Sequence, residues 1–178
     1  MKYQNSYIIV YRDLQAGNHE YDFEIGKTFF EGLEYSEIDS GNLRLHIDLY
    51  KSDTFLLLTC NMEGTVSIQC DRCLDYFDSP VEMETSLKVV FEENIIDSDN
   101  EIDTMYVSPD EDQIDIRHYV YESIMLSLPV QRVHPDNEKG RTQCNKEMLK
   151  LLKQHSNKKD KNEIDPRWEA LKKFNNLN

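Results

Sequence analysis

Cys70 and Cys73, separated by Asp71 and Arg72, are the side chains whose type and spacing speak most directly of chemistry. Two thiols placed this way at the end of a strand can fold into a tight knuckle. There both sulfurs converge on one metal ion and the following amides hydrogen-bond to them. The same spacing also serves thiol redox chemistry, but that use needs the first cysteine at a helix N-terminus, where the helix dipole favours the thiolate. The residues after Cys73, Leu-Asp-Tyr-Phe-Asp-Ser-Pro, do not have a helical pattern. A third reading is two reduced, metal-free cysteines in a turn. A tetrahedral site needs two more ligands, and the candidates are Cys60, Cys144 and five histidines. His134 and Cys144 both fall in the irregular stretch after Pro129, where a loop can fold back over the knuckle. The candidate zinc ligands are therefore Cys70, Cys73, His134 and Cys144, the zinc being structural. Cys60 lies mid-strand beside Leu56, Leu57 and Leu58, where packing is the expected role.

Other catalytic devices are missing. Catalytic zinc needs an open coordination position and a nearby base, and no carboxylate stands in a motif relation to the cysteines. With only six glycines, the chain has no phosphate loop, nucleophile elbow or glycine-rich dinucleotide turn. Asp97, Asp99, Glu101 and Asp103 alternate like a carboxylate ladder but lack the glycine and closing glutamate of a helix-loop-helix calcium site. His118 reads as a surface or packing residue of a helix. Trp168 reads as an anchor against the body rather than a base-stacking platform.

The elements that must position these residues read as strands first and helices later. Tyr7 to Tyr11 is a short aliphatic-aromatic run, and Tyr21, Phe23 and Ile25 share one face of an alternating stretch. Leu43, Leu45, Ile47 and Leu49 alternate with Arg44, His46 and Asp48, a period of two. With the turn at Lys51-Ser52-Asp53 and the apolar run from Thr54 to Asn61, residues 43–61 predict a hairpin. Phe29 to Leu33 suggests one helical turn. Val66 and Ile68, then Tyr76–Phe77 and Val81–Phe91, continue a meander past the cysteines, and Ile102 to Val107 predicts one more short strand. Ile116 to Leu128 predicts a helix capped by Asp115 and ended by Pro129. Lys146 to His155 predicts a second, capped by Asn145, with Met148, Leu149 and Leu152 as its apolar stripe. Asp165-Pro166 starts a third, in which Trp168, Leu171 and Phe174 form an apolar edge. The expected fold is α+β: an antiparallel β-meander or partly closed barrel with two to three helices in the C-terminal half. Residues 1–155 form the domain with the knuckle, and residues 156–178 a basic linker and helix.

The chain has 178 residues, long enough to bury a core without disulfides. Its formal net charge is −14, unevenly placed. Residues 1–131 hold 8 basic and 27 acidic side chains, a net of −19; residues 132–178 hold 12 and 7, a net of +5. Residues 92–115 contain ten acidic side chains and no basic one. Such a body does not coat nucleic acid by neutralising phosphates over its whole surface. The acidic part suits a basic partner, and the basic segment suits RNA phosphates or the body itself. No targeting segment or membrane-length apolar run is visible, so the expected location is cytoplasmic and no membrane partner is expected.

Three segments occur in order: Cys70-Asp-Arg-Cys73-Leu74 after an alternating strand, Leu126-Ser-Leu128-Pro129-Val130 ending a helix, and Asp165-Pro-Arg-Trp-Glu-Ala-Leu171. In this combination, over roughly residues 40–175, the chain resembles the YceD family of large ribosomal RNA subunit accumulation proteins. The resemblance implies a non-enzymatic ribosome-biogenesis factor needed for 23S rRNA accumulation or processing. Its partners would be a basic large-subunit ribosomal protein, a 23S rRNA precursor, or both. The family's cysteine motif maps onto Cys70 and Cys73, and the His and Cys that follow the Leu-Pro segment in some members map onto His134 and Cys144. Other branches carry a second Cys-x-x-Cys, which this chain lacks. The rival class is a zinc- or thiol-dependent enzyme acting on RNA.

Overall fold

The computed structural model describes residues 7–91 and 102–156. In chain order the elements are β1 (Ile8–Val10), β2 (Gly17–Ile25), α1 (Lys27–Glu31), β3 (Ile38–Lys51), β4 (Phe55–Gln69), β5 (Tyr76–Phe91), β6 (Asp103–Val107), β7 (Gln113–Asp115), α2 (Arg117–Ser127) and α3 (Lys146–His155). The fold is α+β. Strands β2 to β5 form an antiparallel meander, the predicted hairpin being the inner part of the longer pair β3–β4. The fifth strand departs from expectation: β6 lies beside β5 but runs parallel to it. A parallel neighbour needs a crossover rather than a tight turn; eleven residues separate Phe91 from Asp103 in the sequence. The sheet order β2-β3-β4-β5-β6 is linear, so among the described residues it stays open and does not close into a barrel. β1 and β7 pair in a separate ladder, Ile9 opposite Ile114.

Alternation decides which sheet face is buried. Phe23 and Ile25 of β2, Leu43, Leu45, Ile47 and Leu49 of β3, Leu56, Leu58, Cys60 and Met62 of β4, and Val81, Leu87 and Val89 of β5 all point to one side and are buried. Ile38 keeps to that side despite its even number because the β3–β4 register slips between Ile38 and Ser40. Phe29 and Phe30 of α1, Ile9 and Ile114 of the small ladder, and Tyr119, Val120 and Ile124 of α2 belong to the same core. The residue that caps α2 is Ile116 rather than the expected Asp115, which lies one position earlier and accepts the Arg117 amide at 2.9 Å. Cys60 sits in this core, and burial pushes its thiol up to about 12. It is a packing residue, as its strand position implied.

The other sheet face meets solvent. Three helices are present among the described residues, α1 in the N-terminal half and α2 and α3 in the C-terminal half. None of the described helices is long and apolar enough to cross a membrane. The expected helix from Asp165 with Trp168, and the carboxylates Asp97, Asp99 and Glu101, lie outside the described residues.

Candidate metal centre

The knuckle is the turn between the two longest strands. Cys70 follows β4 directly and extends its ladder by one rung, its amide donating to the Asp75 carbonyl at 2.9 Å. The Leu74 amide donates back to the Cys70 carbonyl at 2.9 Å, and the Gln69 side chain donates to the Leu74 carbonyl at 2.9 Å. Leu74 takes a left-handed φ of 63°, unusual for a branched side chain, and this reverses the chain into β5. No helix begins here; Tyr76 is already strand. The arrangement a thioredoxin-type site requires is therefore absent from this turn.

The remaining donors come from the segment after α2. Asp71 holds that segment twice: its amide donates to the Arg132 carbonyl at 2.7 Å, and its carboxylate accepts the Arg132 amide at 2.8 Å. The Arg132 guanidinium reaches Glu37 at 2.6 Å. The chain then makes a small hairpin with His134 and Cys144 at the feet of its two arms. A bridge between Asp136 and Thr142 closes it, and Asn137 accepts the amides of Lys139 and Arg141, both at 3.0 Å. Gly140 turns the tip with a φ of 67°, where a side chain would be strained. Cys144 donates its amide to Thr142, and Asn145 caps α3 by accepting the Glu147 amide at 3.0 Å, as its position predicted.

Cys70, Cys73, His134 and Cys144 thus come together, their donor atoms all within 4.8 Å of one another. The three cysteines are buried, with Phe77, Val133, Met148 and Leu149 packed around them. The His134 ring lies against Phe77, centroids 4.9 Å apart. Met148 and Leu149 supply the inner side of α3, while Leu152, expected in the same stripe, is 47% exposed. All four cysteines of the chain are free thiols.

The spacing can be compared with a metal tetrahedron. Zinc with Zn–S of about 2.3 Å and Zn–N of about 2.05 Å separates two sulfurs by about 3.8 Å and a sulfur from a nitrogen by about 3.55 Å. Cys70 Sγ and Cys144 Sγ are 3.8 Å apart, and Cys73 Sγ and His134 Nδ1 are 3.5 Å apart. Burial acts to raise the Cys70 thiol, but hydrogen bonds from the backbone of Arg72, Cys73 and His134, and from the His134 ring, outweigh it and bring Cys70 down to about 6. Cys144 is pushed up, first by burial and then by the adjoining Cys70 and Cys73 sulfurs. Amides already aimed at one sulfur, two separations of tetrahedral size and a Cys3His donor set all suit zinc.

Cys60 stays in the core, away from this cluster. Of the other histidines, His46 pairs with Asp22 at 2.9 Å on the open sheet face, and His118 sits exposed beside Glu122 at 3.1 Å. Sequence reasoning did not single out the residues that hold the two halves together, Asp71, Arg132 and Phe77. Only the position of Asp71 inside the knuckle hinted at its part; a main-chain pairing to a residue 61 positions away leaves no local signature.

A family model described as "Large ribosomal RNA subunit accumulation protein YceD" matches residues 58–175, a span that takes in all four residues of the cluster. No curated protein and no solved structure matches the chain.

Proposed function

The chain belongs to the YceD family of large ribosomal RNA subunit accumulation proteins, and on that premise we propose that it is a non-enzymatic ribosome-biogenesis factor. In this reading it supports accumulation or processing of 23S rRNA and assembly of the large subunit, acting by binding rather than by chemistry. The family match carries the biological setting, and charge selects the mode of action. A body of net −19 over residues 1–131 attracts a basic large-subunit protein and repels RNA. The basic segment 156–178, as a linker and helix beyond a domain of residues 1–155, is left to touch rRNA or the body.

Zinc is proposed as a structural ion held by Cys70, Cys73, His134 and Cys144. When bound it would cross-link the strand-end knuckle to the hairpin before α3. Four protein donors complete a tetrahedron and leave no open position of the kind a hydrolytic zinc keeps. Among the described residues no carboxylate joins the four donors as a base, which favours binding over RNA hydrolysis.

The test is a binding assay at about 0.15 M salt, with purified 23S fragments and, separately, with basic large-subunit proteins. Tighter binding to a protein, weakening as salt rises, is expected. Tight RNA binding that survives deletion of residues 156–178 and mutation of Lys146, Lys150 and Lys153, with no protein partner, overturns the reading. Turnover of precursor RNA by the purified chain would instead favour the enzyme.

A further inference from the structure

The two edges of β5 are used unequally. β4 pairs with it over its whole length, from Gln69 opposite Tyr76 to Phe55 opposite Val90, in unbroken register. β6 pairs only with Leu87 to Phe91. Among the described residues, the outer edge of β5 from Tyr76 to Thr85 has no strand beside it, and no main-chain group hydrogen-bonds to it there.

Two bonds at the ends of the β4–β5 ladder show which groups face outward. The Phe91 amide donates to the Thr54 carbonyl and the Asp75 carbonyl accepts the Cys70 amide, so odd-numbered residues turn their main chain toward β4. In an unbroken strand the even-numbered residues then turn theirs outward. Tyr76, Asp78, Glu82 and Glu84 offer both an amide and a carbonyl to the free edge, and Pro80 offers a carbonyl alone; from Ser86 onward the outward groups turn toward β6.

The same residues put acid on the open sheet face. Asp78, Glu82 and Glu84 are exposed, and none makes an ion pair among the described residues. Glu82 lies directly opposite Glu63 of β4, a like-charge cross-strand pair that costs stability unless a cation intervenes. Arg44 of β3 lies opposite Glu63 from the other side but forms no ion pair with it. Glu82, Glu84, Glu63 and Arg44 line a shallow recess of about 670 Å³ on that face, with Asp22, His46 and Asn61.

We propose that the free edge of β5, from Tyr76 to Thr85, takes up an extended lysine- and arginine-rich segment of a partner protein as an added strand. Outward amides and carbonyls supply the pairing. Alternate basic side chains of the incoming strand fall beside Asp78, Glu82 and Glu84, within the reach of cross-strand pairs. A second copy of this chain is refused, because its β5 would bring carboxylate against carboxylate and a proline into the ladder. RNA is refused by the same charge. That the natural partner is a large-subunit protein rests on the function proposed above; the edge itself is tested without it.

The probe is a synthetic peptide of twelve residues alternating lysine with threonine, titrated into the full chain at about 0.15 M salt. Amide hydrogen exchange is expected to slow at Asp78, Glu82 and Glu84. The exchange of odd-numbered amides, already bonded to β4, should not change. Methylating alternate backbone nitrogens of the peptide should abolish binding. The double variant Glu82→Lys/Glu84→Lys should weaken it by about tenfold or more, and Glu20→Lys/Glu24→Lys, the same charge change on the far strand β2, by less than about threefold. Equal weakening by both variants, full binding by the methylated peptide, or protection of those amides by a 23S fragment instead overturns the proposal. Large-subunit proteins that bind equally well to the Glu82→Lys/Glu84→Lys variant also overturn it. Their failure to bind the unaltered chain counts against the function alone, because the peptide still judges the edge.

Discussion

Asp71 holds the Arg132 main chain by two hydrogen bonds of 2.7 and 2.8 Å, one given by the Asp71 amide and one accepted by its carboxylate. This pair fastens the segment that leads to His134 and Cys144 directly to the knuckle. Removing the carboxylate leaves the Arg132 amide without its partner. Asp71→Ala should lower folding stability by about 1 kcal/mol and weaken zinc binding by about tenfold or more. Asp71→Asn, which keeps an acceptor oxygen, should retain most of both. Competition against a zinc chelator and denaturant titration of the two variants decide it; unchanged zinc affinity in Asp71→Ala would show that the clamp does not position the site.

The four cysteines should separate into two classes. Metal analysis of protein purified without chelator is expected to find zinc lost or sharply reduced in Cys144→Ser and unchanged in Cys60→Ser. The Cys60 variant should instead lose about 1–3 kcal/mol, because its hydroxyl enters an apolar core. Equal zinc in Cys144→Ser and the unaltered protein would rule out this ligand set.

His46 provides a pH dependence outside the metal centre. Its hydrogen bond to the Asp22 carboxylate raises its pKa above the ordinary value of about 6.5, against partial desolvation, with Asp48 adding to the rise. A group whose pKa rises on folding stabilises the fold fully below its unfolded pKa, and the effect is lost as pH climbs through the folded value. The stability difference between the unaltered chain and His46→Gln should therefore be largest below about pH 6.5 and shrink as pH rises. Denaturant midpoints across that range test the sign; a difference that grows with pH would contradict the pairing.

Gly64 in β4 has a φ of +145°, and a Cβ there would run into the Asn42 carbonyl oxygen of β3. Gly64→Ala therefore meets both a backbone strain and a backbone neighbour that cannot turn away. The expected loss exceeds about 1 kcal/mol, read as a lower urea midpoint with an unchanged slope. A midpoint equal to that of the unaltered chain would mean that β3 and β4 separate at this point at little cost.

Local chemistry was legible in the sequence. The alternation of Leu43 to Leu49 identified the buried face of β3 because strand side chains repeat every two residues. Asn145 marked the start of α3 because a short polar side chain satisfies unpaired first-turn amides, whereas the cap of α2 fell one residue past Asp115, at Ile116. Cys70 and Cys73 marked a turn with converging sulfurs, and the order of motifs pointed to the family. Relations between distant segments were decided by tertiary structure. The slip between Ile38 and Ser40 depends on where β4 pairs, and the parallel setting of β6 depends on how the chain crosses after β5. The ladder of β1 with β7 joins residues about a hundred positions apart. The approach of Cys144 to Cys70 rests on Asp71 meeting Arg132, on Phe77 meeting His134 and on α3 lying over the knuckle. Such contacts follow from packing and loop closure, whose free energy is spread over the whole core and leaves no periodic trace in either segment.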